Sequence, residues 1–438
     1  MVDAPVRRAP SEGQGAWGGE RRNQRQNQMK TITLSKTGGD RATGYTMNNK
    51  IVSLPEGLLC TWLDSERQNR WALVDRDSSE VVREGTIGKP GLDNHCGAAL
   101  AVSGDTVHAL IGGHHGPLEH HALDRDRWEW RDEGVAGDQA TYPSVATDPE
   151  GRVHVFYRRG GQEHWTLNYV RLEFGQWSEP VALIRAHKPG YVYWTNGVTA
   201  APDGELHLTF GNPQVQSDGG IHYGTSHICS ADGGLSWKTS SGHPLPAPTI
   251  SAESVPLMEP AGSEDRYQPP DHATEFEAPG PENYNYQQMN LSNPVVGADG
   301  TLSVVLHNNR TGTAEICTLN HGVWSGRPLD VVSHPDSERI HPQSSLAIGP
   351  GGRLYACLMV EPTDRCVWGP NGTYLRMATI DDDVEVSDVA QRDGALAQWL
   401  PAFGHGAGDL AMLYTRGENA GGFGNNANAL ETAVILRI

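Results

Sequence analysis

The stretch Asp148-Pro149-Glu150-Gly151-Arg152-Val153-His154-Val155-Phe156-Tyr157-Arg158-Arg159-Gly160 sets the reading of the whole chain. A tight turn containing Gly leads into a short run rich in Val, Phe and Tyr, and a polar, Gly-containing loop follows. Glycine in such a turn supplies the positive φ of a hairpin. The β-branched and aromatic run suits a strand. The same design recurs at Pro55-Glu56-Gly57, Ser103-Gly104-Asp105, Pro202-Asp203-Gly204, Ala298-Asp299-Gly300, Gly349-Pro350-Gly351-Gly352 and Gly406-Ala407-Gly408, each ahead of an apolar run. That makes seven copies, spaced by roughly 45 to 57 residues apart from one gap near 95 between the fourth and fifth. A period near 50 with about four short strands per unit is that of a propeller blade. The sequence predicts an all-β fold, a seven-bladed β-propeller of four-stranded antiparallel blades. The long gap holds 244–286, rich in Pro, Glu and Tyr, which reads as an inserted loop over one face. No segment keeps an apolar period of 3.6 residues over three turns, so helix content should be very low.

Composition agrees with this reading. The chain has 438 residues, 52 of them Gly, with 12 Trp and 13 Tyr. So much Gly suits tight turns and weighs against helices, where each costs about 1 kcal/mol. The formal charge is −19 without a basic face, which argues against a nucleic-acid partner. No run approaches the apolar length of a membrane-spanning helix. Residues 1–28 are Arg-containing and polar, and read as a disordered tail or an over-extended start, with one domain over 29–438. No export signal is seen, so the expected compartment is the cytoplasm. The six Cys are scattered singly and read as reduced thiols, mostly in the core. Thr46–Ser53 is read as the strand that closes the ring.

Six of the 19 His fall between His95 and His121. His108 lies within an apolar run and reads as a strand residue; His120 and His121 read as solvated. His95 opens one strand, while His114 and His115 end another. Imidazoles at loop mouths have little packing reason to cluster, so His95 and the His114/His115 pair read as functional. One unit later, Tyr142 opens a strand and Arg158 closes its neighbour. Arg159, Tyr191, Tyr193, Trp194 and Asn196 join His114 as candidates for substrate contact, the aromatics as platforms for sugar faces. Ser230-Ala231-Asp232-Gly233-Gly234-Leu235-Ser236-Trp237 fits the S-x-D-x-G-x-S-W Asp-box turn of sialidase-like propellers, a structural motif.

The succession DNHCGAAL, GGHHGPL, TYP and FYRRG resembles the BNR-type seven-bladed propeller polysaccharide lyases, the ulvan lyases and related rhamnosyl-glucuronate lyases. The match covers about 95–237. The resemblance implies catalysis by His95, a His twenty residues later (His115), and a Tyr–Arg pair sixteen residues apart (Tyr142 and Arg158). It implies β-elimination on a uronic-acid-containing oligosaccharide or polysaccharide. In that chemistry a cation neutralises the uronate carboxylate and stabilises the enolate-like intermediate, a base takes the C5 proton, and an acid protonates O4. Arg158 suits the first task, since its fork can grip a carboxylate. Tyr142 with one or both of His95 and His115 shares the proton transfers, and the residues alone do not say which is base and which acid.

No cofactor is required by this scheme. A structural Zn²⁺ or Ca²⁺ is compatible with the sequence: His227 and Cys229, two apart on a strand, face one way and with His222 form a set able to hold Zn²⁺. Asp381-Asp382-Asp383 has the look of a cation site but reads as a solvated acidic turn. Two other functions fit the same architecture, a sialidase-like glycoside hydrolase and a non-catalytic propeller that binds glycan or protein. The first needs an Arg triad, of which no member is found near the first blade.

Overall fold

A computed structural model describes residues 30–437, apart from 46, 188, 190, 191, 193, 216–220, 247, 259–284, 287–288, 309–311, 335–336, 363–372, 391–395, 406–409 and 418–431. Residues 1–28, Tyr191, Tyr193, Cys366 and most of the 244–286 insertion therefore lie outside the described residues.

The fold is all-β, as the turn pattern predicts, with three single-turn 3₁₀ segments as the only helical elements among the described residues. The repeating unit is an antiparallel sheet of four strands. The first unit comprises Ile51–Leu54, Gly57–Leu63, Asn69–Val74 and Val81–Ile87. The second comprises Ala99–Ser103, Thr106–Gly112, Gly116–Asp124 and the start of Glu129–Thr147. The end of that 19-residue strand opens the third unit, followed by Val153–Arg159, Thr166–Glu173 and Val181–Arg185, so one strand belongs to two units. Four further units follow, beginning at Asn196–Ala200, Met289–Leu291, Glu338–Ile348 and Ala397–Phe403. Six of the seven quoted turns sit at the same place, between the first and second strands of a unit, and the seventh, 406–408, lies outside the described residues.

The first strands of successive units are tied by side chains that cap neighbouring backbone. Asn49 Nδ2 donates to Leu100 O (2.9 Å), Val198 N to Ser144 Oγ (2.9 Å), and Asn293 Nδ2 to Leu346 O (2.8 Å). Phe403 N donates to Ser345 Oγ (2.9 Å), and His405 N donates to Asn49 Oδ1 (3.1 Å), which brings the last unit against the first. The cores lie between units: Leu59, Trp71 and Leu73 of the first pack on Leu100, Val107 and Ala109 of the second.

Three expectations are corrected here. The strand that joins the two ends of the chain is Thr31–Ser35, which pairs with Thr432–Arg437; within Thr46–Ser53, Ile51 onward instead opens the first sheet. In TITLS, Ile32 and Leu34 reach the core formed with Leu413 and Leu436, which anchors this strand. The described start of the insertion is no free loop: Ile250–Ser251 pairs in parallel with Ile184–Arg185, and Val255 enters a core. His120 and His121 are buried, not solvated, on Gly116–Asp124. The Asp-box turn is built as read. Asp232 Oδ1 accepts from Leu235 N and Ser236 N, Ser236 Oγ donates to Asp232 Oδ2 (2.6 Å), and Trp237 packs on Phe156. The five described Cys are buried. Asp381–Asp383 form an exposed turn, where Asp381 pairs with Arg353 (2.8 Å).

Candidate active site

Tyr142 owes its position to a bulge. Thr141 faces Arg158 and Ser144 faces Phe156, so Tyr142 and Pro143 together oppose Tyr157. Tyr142 adopts φ 58°, a left-handed conformation that costs a non-glycine residue about 1–2 kcal/mol. Asn48 Nδ2 donates to Pro143 O (2.6 Å) and Asn196 Nδ2 to Tyr142 O (3.4 Å), so the segment ahead of the first unit and the start of the fourth both hold the bulge.

His114 and His115 occupy the hairpin turn between Thr106–Gly112 and Gly116–Asp124, closed by Gly116 N donating to Gly113 O (3.1 Å). Both have positive φ, 46° and 71°, where Asn-Gly is the relaxed choice. Strain of this kind gathers at functional sites. Gly160 makes room for the turn, since a Cβ there would lie 2.5 Å from His115 Nδ1.

These segments bring one ring of side chains together. Between ring centroids, Tyr45 lies 5.9 Å from His95, His95 stacks at 4.0 Å on His114, and His114 stacks at 4.9 Å on His115. His115 meets the edge of Trp165 at 5.2 Å. The Arg158 guanidinium lies 5.0 Å from the Trp165 ring and 4.6 Å from that of Tyr142, and Tyr142 returns to Tyr45 at 4.7 Å. All four catalytic candidates, His95, His115, Tyr142 and Arg158, thus lie in one cluster with His114. Exposure divides them: Arg158 is buried at 1 % and Tyr142 at 3 %, while His115 is open to solvent.

Asp93 organises the imidazoles. His95 Nδ1–H donates to Asp93 Oδ1 (2.9 Å), His114 Nδ1–H donates to Oδ2, and the His95 backbone N–H adds a third bond (2.9 Å). Burial raises the Asp93 pKa, but these bonds outweigh it and hold the carboxyl well below its usual range. The Arg41 guanidinium donates to His95 Nε2 (3.1 Å) and to the Tyr45 hydroxyl. Burial pulls the His95 pKa down to about 4, the Asp93 bond opposing and Arg41 reinforcing the shift. His115 is lowered by burial, then by Arg158 and His114. Asp93, His95 and His114 bring donor atoms within 4.8 Å of one another. Their Nδ1 protons on Asp93 and the Arg41 cation on His95 Nε2 leave no lone-pair set open to a metal.

The remaining candidates separate. Arg159 is engaged by Asp138 (3.1 Å) and Gln162 (2.7 Å). Trp194 is fully buried against Phe210, so it offers no sugar platform. Asn196 is buried and serves the backbone of Tyr142. Asp93, Arg41, Tyr45 and Trp165 were not singled out in the sequence. Asp93 was within reach, since it stands in the DNH motif. Arg41 and Tyr45 come from a connecting segment without local signal.

His227 and Cys229 do face one way, but the third member of their cluster is His207, which the register sets opposite Cys229. Only the backbone of His222 is described, paired with Gln214. Two imidazoles and a thiol are Zn²⁺ donors. Here His207 Nδ1 and His227 Nε2 share a 3.1 Å hydrogen bond, and His227 Nδ1 bonds Ser240 Oγ (2.8 Å), so three of the four ring nitrogens are already engaged within the protein.

Residues 60–277 match the family described as BNR repeat-containing family member. A search of curated proteins finds no match. Among solved structures, the fold is similar to that of a PL25 ulvan lyase, with TM-score 0.61 and 11% identity over 92% of this chain and 95% of the other. The same lyase bound to -[GlcA(1-4)Rha3S]- gives TM-score 0.59 at 11% identity over 92% and 95%. The polysaccharide lyase Uly1 gives TM-score 0.57 at 13% identity over 93% and 98%. The chain carries the BNR repeat-containing match over 60–277 and the fold of the ulvan lyases, and the resemblance to BNR-type propeller lyases read from its residues is thereby borne out.

Proposed function

We propose that this protein is a carbon–oxygen lyase that cleaves a uronic-acid-containing oligosaccharide or polysaccharide by β-elimination, on a single seven-bladed propeller spanning 29–438. The observation that carries the reading is the closed ring of Tyr45, His95, His114, His115, Trp165, Arg158 and Tyr142, drawn from the segment ahead of the first unit and from the loops and strand ends of the second and third units.

In the reaction a base removes the C5 proton, the C5 electron pair forms the C4–C5 double bond, and the C4–O4 bond breaks as O4 takes a proton. The ring offers what each step needs. Tyr142 has a phenol that can give and take a proton. It lies under the Arg158 cation, which favours a phenolate or a nearby uronate carboxylate. The imidazoles reach solvent and so reach the substrate. No metal is needed for this chemistry. The charge of −19 does not oppose an anionic glycan, because Arg41, Arg158 and the imidazoles gather at the site.

The test is a panel of uronic-acid glycans followed by the ultraviolet absorbance of the unsaturated uronate. Growth of that absorbance supports the lyase. New reducing ends without it would establish hydrolysis instead, and neither signal across the panel would leave a binding propeller.

A further inference from the structure

Resting on that lyase reading, we propose that Asp93 is the positioning residue of the site and that it makes His114 the imidazole that exchanges a proton with the substrate. An ionised carboxylate only accepts hydrogen bonds. Both Nδ1 atoms on Asp93 therefore carry hydrogen, which puts His95 and His114 in the same tautomer with lone pairs on Nε2. The two rings then part company. His95 Nε2 receives the Arg41 N–H, and a guanidinium has no proton to accept and none to lose. With both nitrogens occupied, His95 is neutral and serves as a rigid stacking surface for His114 at 4.0 Å.

The Nε2 of His114 has no hydrogen-bond partner among the described residues, and the side chain is 23% exposed. It is the one imidazole of the site with a carboxylate behind it and an open nitrogen in front. That is the arrangement that orients a general base and stabilises its protonated form. His115 lacks it: its backbone N–H is held by Thr141 Oγ1 (3.3 Å), while its ring makes contacts with His114 and Trp165. The strained turn now has a reason. A positive φ at His114 is tolerated because the ring must meet Asp93, twenty-one residues earlier.

The test combines nitrogen-15 NMR of the histidine rings with kinetics on the elimination. In the free wild-type protein His95 and His114 should show the Nδ1–H tautomer, and Asp93→Asn should abolish that signature at His114 with the fold intact by circular dichroism. Asp93→Asn should lower kcat about 10²- to 10⁴-fold with KM changed less than about threefold, and Asp93→Glu should restore part of it. His114→Ala should lose as much, and the double variant no more than His114→Ala alone. An Nε2–H tautomer at His114 overturns the inference whatever the activity, and so does near-wild-type kcat in His114→Ala. Nδ1–H tautomers without elimination on any uronate would support the dyad and overturn the lyase reading alone.

Discussion

The indole N–H of Trp177, on the third sheet unit, donates to His120 Nδ1 on the second at 3.2 Å. Because that nitrogen accepts, the ring proton sits on Nε2, which donates to His108 Nδ1 at 2.9 Å. A relay of three rings thus latches two units, and it works only while both imidazoles are neutral.

Burial first, then neighbouring imidazoles, pulls His108 and His120 down to about 4. The unfolded chain titrates these rings near 6.5. Above that pH their contribution to stability is complete; it falls as pH drops from about 6.5 towards 4, because the unfolded state takes up protons the folded state refuses. Each ring contributes a slope of about 1.4 kcal/mol per pH unit at most. His120→Gln should flatten the fall of Tm between pH 7 and pH 4.5 and lower Tm at pH 7. An unchanged slope would remove the latch from the account.

Lys50 works in the opposite range. Its ammonium is fully buried and donates to Ala98 O (2.7 Å), while Asn69 binds Ala98 N (2.8 Å) and Cys96 O (2.9 Å). The pair clamps the backbone that follows His95. Burial lowers the Lys50 pKa to about 7 from 10.5, so the folded state gains stability as pH rises from 7 towards 10. Lys50→Met should lose this rise in urea titrations at pH 7 and pH 9. It should also lower kcat by loosening the segment that carries Asp93 and His95.

Gly160→Ala adds one methyl. That atom would lie 2.5 Å from His115 Nδ1 and 3.1 Å from Trp165, so the His115 ring must leave its place. The expected result is a kcat/KM at least tenfold lower, with Tm changed by only a few degrees. Unaltered kinetics would show that His115 is a bystander.

Tyr142→Phe keeps the ring beneath Arg158 and deletes only the hydroxyl. Elimination should fall by about 10²-fold or more while Tm stays close to wild type. Near-wild-type turnover would end the role assigned to the phenol.

Much of this was legible in the sequence for a local reason. The turns are hairpin chemistry, decided within four residues, and each of the six described ones joins a first strand to a second. Tyr142 and Arg158 sit on one strand pair, so their meeting follows from antiparallel pairing. What was not legible depends on contacts between units. Arg41 meets His95 across 54 residues and Trp177 reaches His120 across 57, and neither spacing leaves a pattern in the chain. His120 read as solvated because its indole partner belongs to another unit, 57 residues on. Thr46–Ser53 and Thr31–Ser35 are equally strand-like, and only packing against Leu413 and Leu436 chooses the second to close the fold.

That choice has a further consequence. Ser35 lies against Val434, and Thr31 against Arg437, so the two ends of the described chain lie side by side in one sheet. Topologically the chain is a loop with a single non-covalent seam, and the seam can be moved. Fusing the ends and cutting instead at Phe174-Gly175, an exposed hairpin tip, should give a circular permutant with the same sheets. The long-range closure would then fall to Thr166–Glu173 with Val181–Arg185 in place of Thr31–Ser35 with Thr432–Arg437, so the permutant should refold at a rate close to that of the natural order of the chain.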